Sequence, residues 1–510
     1  MKGDGVANDT PLLHLSGNHI ADGQGNPVVL RGFGLGGWMN MENFITGYPA
    51  NEEAQREAVR ATLGEEKYQS FFDRFLEHFF TEGDACFIRS LGLNLLRLPV
   101  NYRHFEDDER PFEIKEEGFR HLDRVVELCA AQGIYTIIDL HALPGYQNQH
   151  WHSDNPTHKA LLWRHKHFQD RTINLWEHIA ARYKGNPWVA GYNPINEPAD
   201  PTEELLMPFY RRLYEAIRAV DPEHLIFLEG NRYSVDFHMF GEPWEDVVYT
   251  NHDYALPGFV DGGPYPGTSR GEYVDKQVLE ETFLKRSEYM LQHDVPVWVG
   301  EFGPVYPPDD PGSHTMRREL LWDQLEIYAR HGANWAIWTY KDIGLQGVVY
   351  AAPDSPWVER IRPIIEKKAR LGIDAWGGTD AKIRHVMEPL EKLFAEEYPH
   401  HDPFPFGIQR EIELLVRNIL LAEPMLKEYG DLFCDMDEAQ IDEMMRSFRF
   451  ENCVRREELA SILAEQAVHS GAQGWRGAGK STLSKPAWVA RFVPPPTNTT
   501  TRGERHSELP

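Results

Sequence analysis

Two acidic residues stand at the ends of apolar, strand-like runs. Glu197 lies in GYNPINEPAD (191–200), between Asn196 and Pro198, and Glu301 lies in VPVWVGEFG (295–303). An unpaired charge inside a buried strand costs several kcal/mol, so a carboxylate at a strand tip is better explained by chemistry than by packing. Glycoside hydrolysis uses such a pair. One carboxylic acid protonates the leaving oxygen, and one carboxylate sits beneath the anomeric carbon. A separation of about 5–5.5 Å gives a covalent glycosyl-enzyme and retention, whereas about 6.5–9.5 Å gives inversion. This chemistry needs no cofactor and no metal.

Such residues have to be carried by a scaffold, and the chain repeats one pattern: amphipathic helix, polar or Gly break, short apolar strand. In EEGFRHLDRVVELCAAQG (116–133), Phe119, Leu122, Val126 and Cys129 fall at helical spacing, and Gly133 suits a C-terminal cap. IYTIIDLH (134–141) follows as a strand. Seven further strands are expected at 28–35, 93–100, 189–197, 225–230, 247–254, 295–303 and 334–340. Eight apolar strands alternating with helices predict an α/β fold, a (β/α)8 TIM barrel with a C-terminal helical extension. The expected divisions are an N-terminal segment (1–24), the catalytic barrel (25–395), a helical appendage (396–468) and a flexible tail (469–510). In such a barrel the chemistry sits at the C-terminal strand ends. Those ends carry Arg97, His141, Asn196, Glu197, His252, Tyr254, Glu301 and Trp338.

The composition narrows the partners. With 79 acidic and 52 basic residues among 510, the net charge is −27, which disfavours nucleic acid and anionic membranes. No apolar run approaches the roughly 18 residues of a membrane span. The opening MKGDGVANDTPLLHLSG lacks the apolar core of a secretory signal, which predicts a cytoplasmic protein. Cys86, Cys129, Cys434 and Cys453 have no CxxC spacing and are expected to be buried free thiols. Two phosphate-loop patterns are decoys. GFGLGG (32–37) is followed by a loop rather than a helix, and GWRGAGKS (474–481) has a helix-like run before it and Pro486 soon after. His150, His152, His158, His165 and His167 follow the third strand without an ordered ligand set, so they are expected at the pocket mouth rather than on a metal. Tyr146, Trp151 and Trp163 nearby suit sugar stacking.

NEP (196–198) with a Glu closing the seventh strand resembles the retaining glycoside hydrolases of clan A, and the full set of eight resembles glycoside hydrolase family 5 over about residues 25–345. The resemblance implies Glu197 as general acid/base and Glu301 as nucleophile. Asn196 would bond the sugar 2-OH, while Tyr254 and Arg97 would hold the nucleophile ionised and aimed. His141 and His252 would bind hydroxyls or tune the acid, and Trp338 would floor the −1 subsite. The acid must start protonated, so the Glu197 pKa is expected to be raised, helped by the charge on Glu301.

A narrower likeness joins RGFGLGGWMNME (31–42) and DLHALPGYQNQ (139–149) to the RGxNLGGWxxxE and DLHGAPGSQNG segments of the fungal exo-β-1,3-glucanase branch. It implies that Glu42 binds hydroxyls of a terminal glucose and that Asn148 supplies a pocket amide. This chain has GFG where that branch has GVN, and related rutinosidases and β-glucosidases share the first segment. The expected activity is therefore a retaining, exo-acting β-glycosidase on a carbohydrate or β-glycoside. The alternatives are an endo-acting β-glucanase, mannanase or glycosphingolipid hydrolase, a β-diglycosidase, or a barrel that binds sugar without catalysis.

Overall fold

The computed structural model describes residues 12–374 and 376–472. Eight parallel strands close a barrel: β1 (Arg31–Gly34), β2 (Leu95–Asn101), β3 (Tyr135–Ala142), β4 (Val189–Asn193), β5 (Leu225–Glu229), β6 (Val247–His252), β7 (Val297–Glu301) and β8 (Asn334–Ile337). They pair in chain order, and β8 returns to β1 with Trp335 opposite Arg31. All eight expected strands are present. The largest shift is at β4, expected to reach 197. It stops at Asn193 because Pro194 has no N–H for the ladder.

Helices follow most strands, among them α1 (Glu52–Leu63) and α2 (Glu65–Phe79) after β1, α3 (Arg120–Ala131) after β2 and α4 (Lys166–Tyr183) after β3. Then come α5 (Leu206–Val220) after β4, α6 (Lys276–Arg286) after β6, α7 (His314–Arg330) after β7 and α8 (Pro356–Leu371) after β8. The β5–β6 connection has only the four-residue turn Asn231–Ser234, with Arg232 and Tyr233 at positive φ. At the opposite end of the barrel, a three-stranded antiparallel sheet (His14–Ser16, His19–Ala21, Pro27–Val28) seals the floor. Its Leu13 and Ile20 flank pack in one cluster with Leu95, Ile137, Phe227, Val248 and Trp298 of the barrel interior.

The C-terminal helices share the core of the barrel's outer layer. Phe433 meets Phe71 of α2 edge-on at 5.0 Å, and Phe448 meets Phe75 at 5.2 Å. Cys453–Arg455 adds an antiparallel strand to Val349–Ala351. The helix Arg384–Glu397 runs across the expected boundary at 395/396. GWRGAGKS and the tail from 473 onward lie outside the described residues. All four cysteines are free, but only Cys129 is buried, while Cys86 and Cys434 are exposed and Cys453 half-buried. The expectation of buried thiols thus fails for three, because their helical positions face outward or sit at element ends. Among the described residues no helix is long and apolar enough to cross a membrane.

The GFGLGG segment has a packing role. A Cβ on Gly34 or Gly36 would lie 2.6 or 2.4 Å from the Trp338 ring, so these glycines let the indole reach the barrel mouth.

Candidate active site

Strand alternation builds the site. On each inward face, side chains two residues apart stack in layers. Leu95 is followed by Arg97, Ile137 by Asp139 and His141, Phe227 by Glu229, and Val248 by Thr250 and His252. In β7 a register shift between Val299 and Glu301 brings Glu301 inward. Asn196 and Glu197 are placed by a loop instead. Pro194 has ended β4, and the Asn196 N–H donates to the Leu140 carbonyl at 3.2 Å. Glu197 has φ +46°, a conformation that costs a branched or long side chain energy, and two neighbours hold it there. Its N–H donates to Glu229 Oε2 at 2.7 Å, and its carbonyl accepts from Asn148 Nδ2 at 3.0 Å.

Arg97, fully buried, is the hub. Nη1 donates to Glu301 Oε1 at 2.6 Å, and Nη2 reaches Asn196 Oδ1 at 2.6 Å, Asp139 Oδ2 at 3.0 Å and Glu229 Oε1 at 3.1 Å. The second oxygen of Glu301 accepts from the Tyr254 hydroxyl at 3.0 Å. Burial, then the charges of Glu301 and Glu197, push the Tyr254 phenol well above its ordinary range, so it stays a donor. Because Arg97 fixes the Asn196 oxygen, the amide nitrogen faces His141 Nε2 at 3.2 Å. The His141 proton then lies on Nδ1, 2.8 Å from Asp139 Oδ2. Burial pulls His141 down to about 3, which leaves it neutral, and its ring stacks on Trp338 at 5.3 Å.

Glu197 departs from expectation. Burial alone would raise its pKa, but hydrogen bonds from His152 and His252 outweigh burial and hold it well below the usual carboxylate range. His152 Nε2 lies 3.1 Å from one oxygen and His252 Nδ1 2.7 Å from the other. Burial disfavours a charged His252, yet Glu301, Glu229 and Glu197 push it up to about 10. Both shifts favour a charged Glu197 beside a charged His252. The charge of Glu301 acts more strongly on His252 than on Glu197, which is why the raised carboxyl is not found.

The catalytic pair opens into a cavity whose open space, mouth included, is about 910 Å³. Glu42, His141, Glu197, His252, Tyr254, Glu301 and Trp338 all line it. Arg97 and Asn196 lie beneath, wholly buried. Asn148 does not face the cavity. It is buried behind the wall, where its Nδ2 donates to the Glu197 carbonyl and lies 3.0 Å from the His152 ring. Glu42 is raised well above its ordinary range by burial, then by Glu301 and Glu197, and its Oε1 has no protein partner. Of the five loop histidines, His150 and His152 line the cavity, while His158 lies 4.0 Å from Glu411 and His165 and His167 flank the start of α4. Trp151 lines the cavity too, whereas Trp163 is core, bonded to the Gln147 carbonyl.

The sequence reading placed His152 at the pocket mouth without its contact to Glu197, and it passed over Asp139, Asn193 and Glu229, and also Tyr233, Trp376, Phe406 and Arg410, the last four being walls of the cavity. Glu229 had a visible signal, since LIFLEG ends a strand with a carboxylate as VWVGE does. The C-terminal walls had none. Two trios of side chains among the described residues could approach a cation, Glu197–His252–Glu301 and Glu203–Asp236–His238, each with ligand atoms within 4.8 Å. In the first, the atoms are engaged with one another, Arg97 and Tyr254. In the second, Arg232 bonds Glu203 at 2.9 Å and takes the place of a cation.

An eight-stranded barrel with two facing carboxylates at its C-terminal mouth defines the class, a hydrolase of glycosidic bonds. The comparisons agree. A family model described as cellulase (glycosyl hydrolase family 5) matches residues 73–344. A beta-xylosidase of Phanerodontia chrysosporium is 46% identical over 469 residues, covering 89% of this chain and 98% of its own. A probable glucan 1,3-beta-glucosidase A of Neosartorya fischeri is 28% identical over 357 residues, 62% of this chain and 84% of its own. A solved structure described as an endogalactoceramidase aligns with a TM-score of 0.48 at 17% identity, over 65% of this chain and 75% of that one. The chain belongs to glycosyl hydrolase family 5, and it is a glycoside hydrolase acting on O-glycosyl bonds.

Proposed function

We propose that this protein is a retaining, exo-acting β-glycosidase that removes a terminal β-D-xylosyl or β-D-glucosyl unit by double displacement. One observation carries the reading: a carboxylate oxygen of Glu197 and one of Glu301 lie within 4.8 Å of each other. So close an approach favours the roughly 5–5.5 Å spacing of a nucleophile and an acid/base over the roughly 6.5–9.5 Å of inversion. Glu301, aimed by Arg97 and Tyr254, attacks the anomeric carbon. Glu197 takes the proton from His252 Nδ1 across their 2.7 Å bond and passes it to the leaving oxygen, then acts as base for the incoming water. Asn196, oriented by Arg97, offers its amide to the 2-OH. Exo action is supported by Glu42, Trp151, Phe406 and Arg410, which all line the cavity and narrow it. The beta-xylosidase relative supports xylose as the sugar, and the glucan 1,3-beta-glucosidase relatives support glucose.

The test is release of nitrophenol from aryl β-D-xyloside and β-D-glucoside, with the first-formed sugar anomer read by proton NMR. The expected result is turnover with the β-anomer formed first, and a loss of about 10⁴-fold or more in Glu301→Gln. Formation of the α-anomer, or an active Glu301→Gln, overturns the mechanism.

A further inference from the structure

The loop after β3 carries His152 to the acid/base and is held at one buried point. Trp151–Ser153 is a single 3-10 turn, and the Asp154 N–H closes it on the Trp151 carbonyl at 2.9 Å. Asp154 stands at φ +57°, in the left-handed region that few residues besides glycine adopt without cost. Its side chain is fully buried as well. A buried carboxylate persists only where partners compensate its lost hydration, and here they come from two other elements.

Asp154 Oδ1 accepts from Asn51 Nδ2 at 2.7 Å and from the Glu53 N–H at 2.8 Å, both at the start of α1. The N–H groups of a helix's first turn lack helical partners and favour negative charge. Oδ2 accepts from Asn101 Nδ2 at 3.0 Å and from Arg103 Nε at 3.0 Å, at and just beyond the end of β2. Both oxygens are thus taken, and Asp154 cannot touch substrate. An amide in its place would turn its own NH2 toward one pair of donors. Two residues earlier is His152. Its carbonyl accepts from Asn40 Nδ2 at 3.0 Å, and its Nε2 lies 3.1 Å from Glu197 Oε2 and 3.0 Å from Asn148 Nδ2. The imidazole meets Glu197 along a path whose far end Asp154 pins.

We propose that Asp154 is a positioning residue for the acid/base: it locks the β3 loop to α1 and β2 so that the His152 imidazole stays on Glu197. The proposal rests on the β-glycosidase reading above and adds to that site a residue that acts through His152. Other charged and titratable groups also face Glu197 and its partners. They are Glu42 on the β1 loop, Arg97 on β2, Asp139 and His141 on β3, and His150 beside His152. From the other side come Glu229 on β5 with Tyr233 after it, His252 and Tyr254 at the end of β6, Glu301 on β7, and Arg410. None of them bonds to Asp154.

The experiment reads the pH profile of kcat/KM on a nitrophenyl β-glycoside in the parent, His152→Gln, Asp154→Asn and the double variant. Removing the negative charge of Asp154 would by itself make Glu197 more acidic and move the alkaline limb to lower pH. Losing the His152 contact moves that limb to higher pH, so the two causes have opposite signs. Asp154→Asn is expected to raise the limb by about half a pH unit or more, and the double variant to match His152→Gln. Asn51→Ala keeps the charge and removes one donor, so it should move the limb the same way by less. It decides the matter if Asp154→Asn does not fold. An unmoved or lowered limb in the deciding variant overturns the positioning role, whatever the loss of stability, and leaves the β-glycosidase reading standing. A further upward shift on adding Asp154→Asn to His152→Gln overturns His152 as the route. A parent that hydrolyses no β-glycoside overturns both readings.

Discussion

The lower and upper halves of the barrel interior use the same strands for opposite ends. Below, Leu95, Ile137, Phe227, Val248 and Trp298 form an apolar plug, sealed from beneath by Leu13 and Ile20. Above them on the same strands stand Arg97, Asp139, Glu229, His252 and Glu301, every one at least 95% buried. The lower layer is held by burial and dispersion, which require shape only. The upper layer persists because its charges satisfy one another around Arg97 and His252, as buried ions must. Stability is thus concentrated below and chemistry above, within two to four residues of chain.

Arg97→Met is the harshest test of that contrast. It leaves Asp139, Glu229 and Glu301 without their shared partner, so we expect about 3–5 kcal/mol lost in denaturant unfolding and activity reduced more than about 10³-fold. Near-parent turnover in this variant would break the comparison. Phe227→Ala, one layer down, should cost a similar 3–5 kcal/mol, roughly, from the cavity it opens. Its kcat/KM at 25 °C should stay within about threefold of the parent, since Phe227 packs edge-on against Trp298 and not on the cavity.

A smaller effect sharpens the upper layer alone. His152→Gln removes one of the two imidazoles that stabilise the Glu197 carboxylate, leaving His252, with Glu301, Glu229, Glu42, Arg97 and Arg410 as the surrounding charges. The alkaline limb of the kcat/KM profile should then move to higher pH, because Glu197 holds its proton more tightly. A drop in activity with an unmoved limb would assign His152 a packing role only.

The mildest expectation concerns stability against pH. The folded protein raises His252 from its ordinary 6.5 to about 10, so the folded state keeps a proton that the unfolded chain releases. That contribution is complete below about pH 6.5 and is lost as pH rises through about 10. Chemical denaturation should show stability falling across that window, with a shallower fall in His252→Gln.

The mouth was legible in proportion to how local its signals are. β2, β3 and β7 each deliver their residues on the strand, and Arg97, His141 and Glu301 could be read directly from apolar runs ending in polar side chains. Asp139 was hidden inside its strand and looked like a lone polar interruption. Glu229 ends its strand in the same way as Glu301, but the ion pair that gives it a role joins it to Arg97, 132 residues away. His152 looked like one of five loop histidines, and only the path of the β3 loop brings its Nε2 to Glu197. Asn148 was read as a pocket amide because it matches one in the exo-β-1,3-glucanase branch, yet its side chain turns behind the wall to grip the Glu197 backbone.

By itself, the sequence determined the eight strands, the two carboxylates and the ring of side chains at the strand ends. Period-two alternation and the cost of burying unpaired charge are local rules that act within a few residues. Tertiary structure decided the rest. It set the spacing of Glu197 and Glu301, put His252 where neighbouring carboxylates raise its pKa, and brought Trp376, Phe406 and Arg410 of the C-terminal region to the pocket mouth. Those features depend on distances between segments far apart in the chain. Such distances are fixed by closure of the barrel and packing of the whole core, which no local pattern encodes.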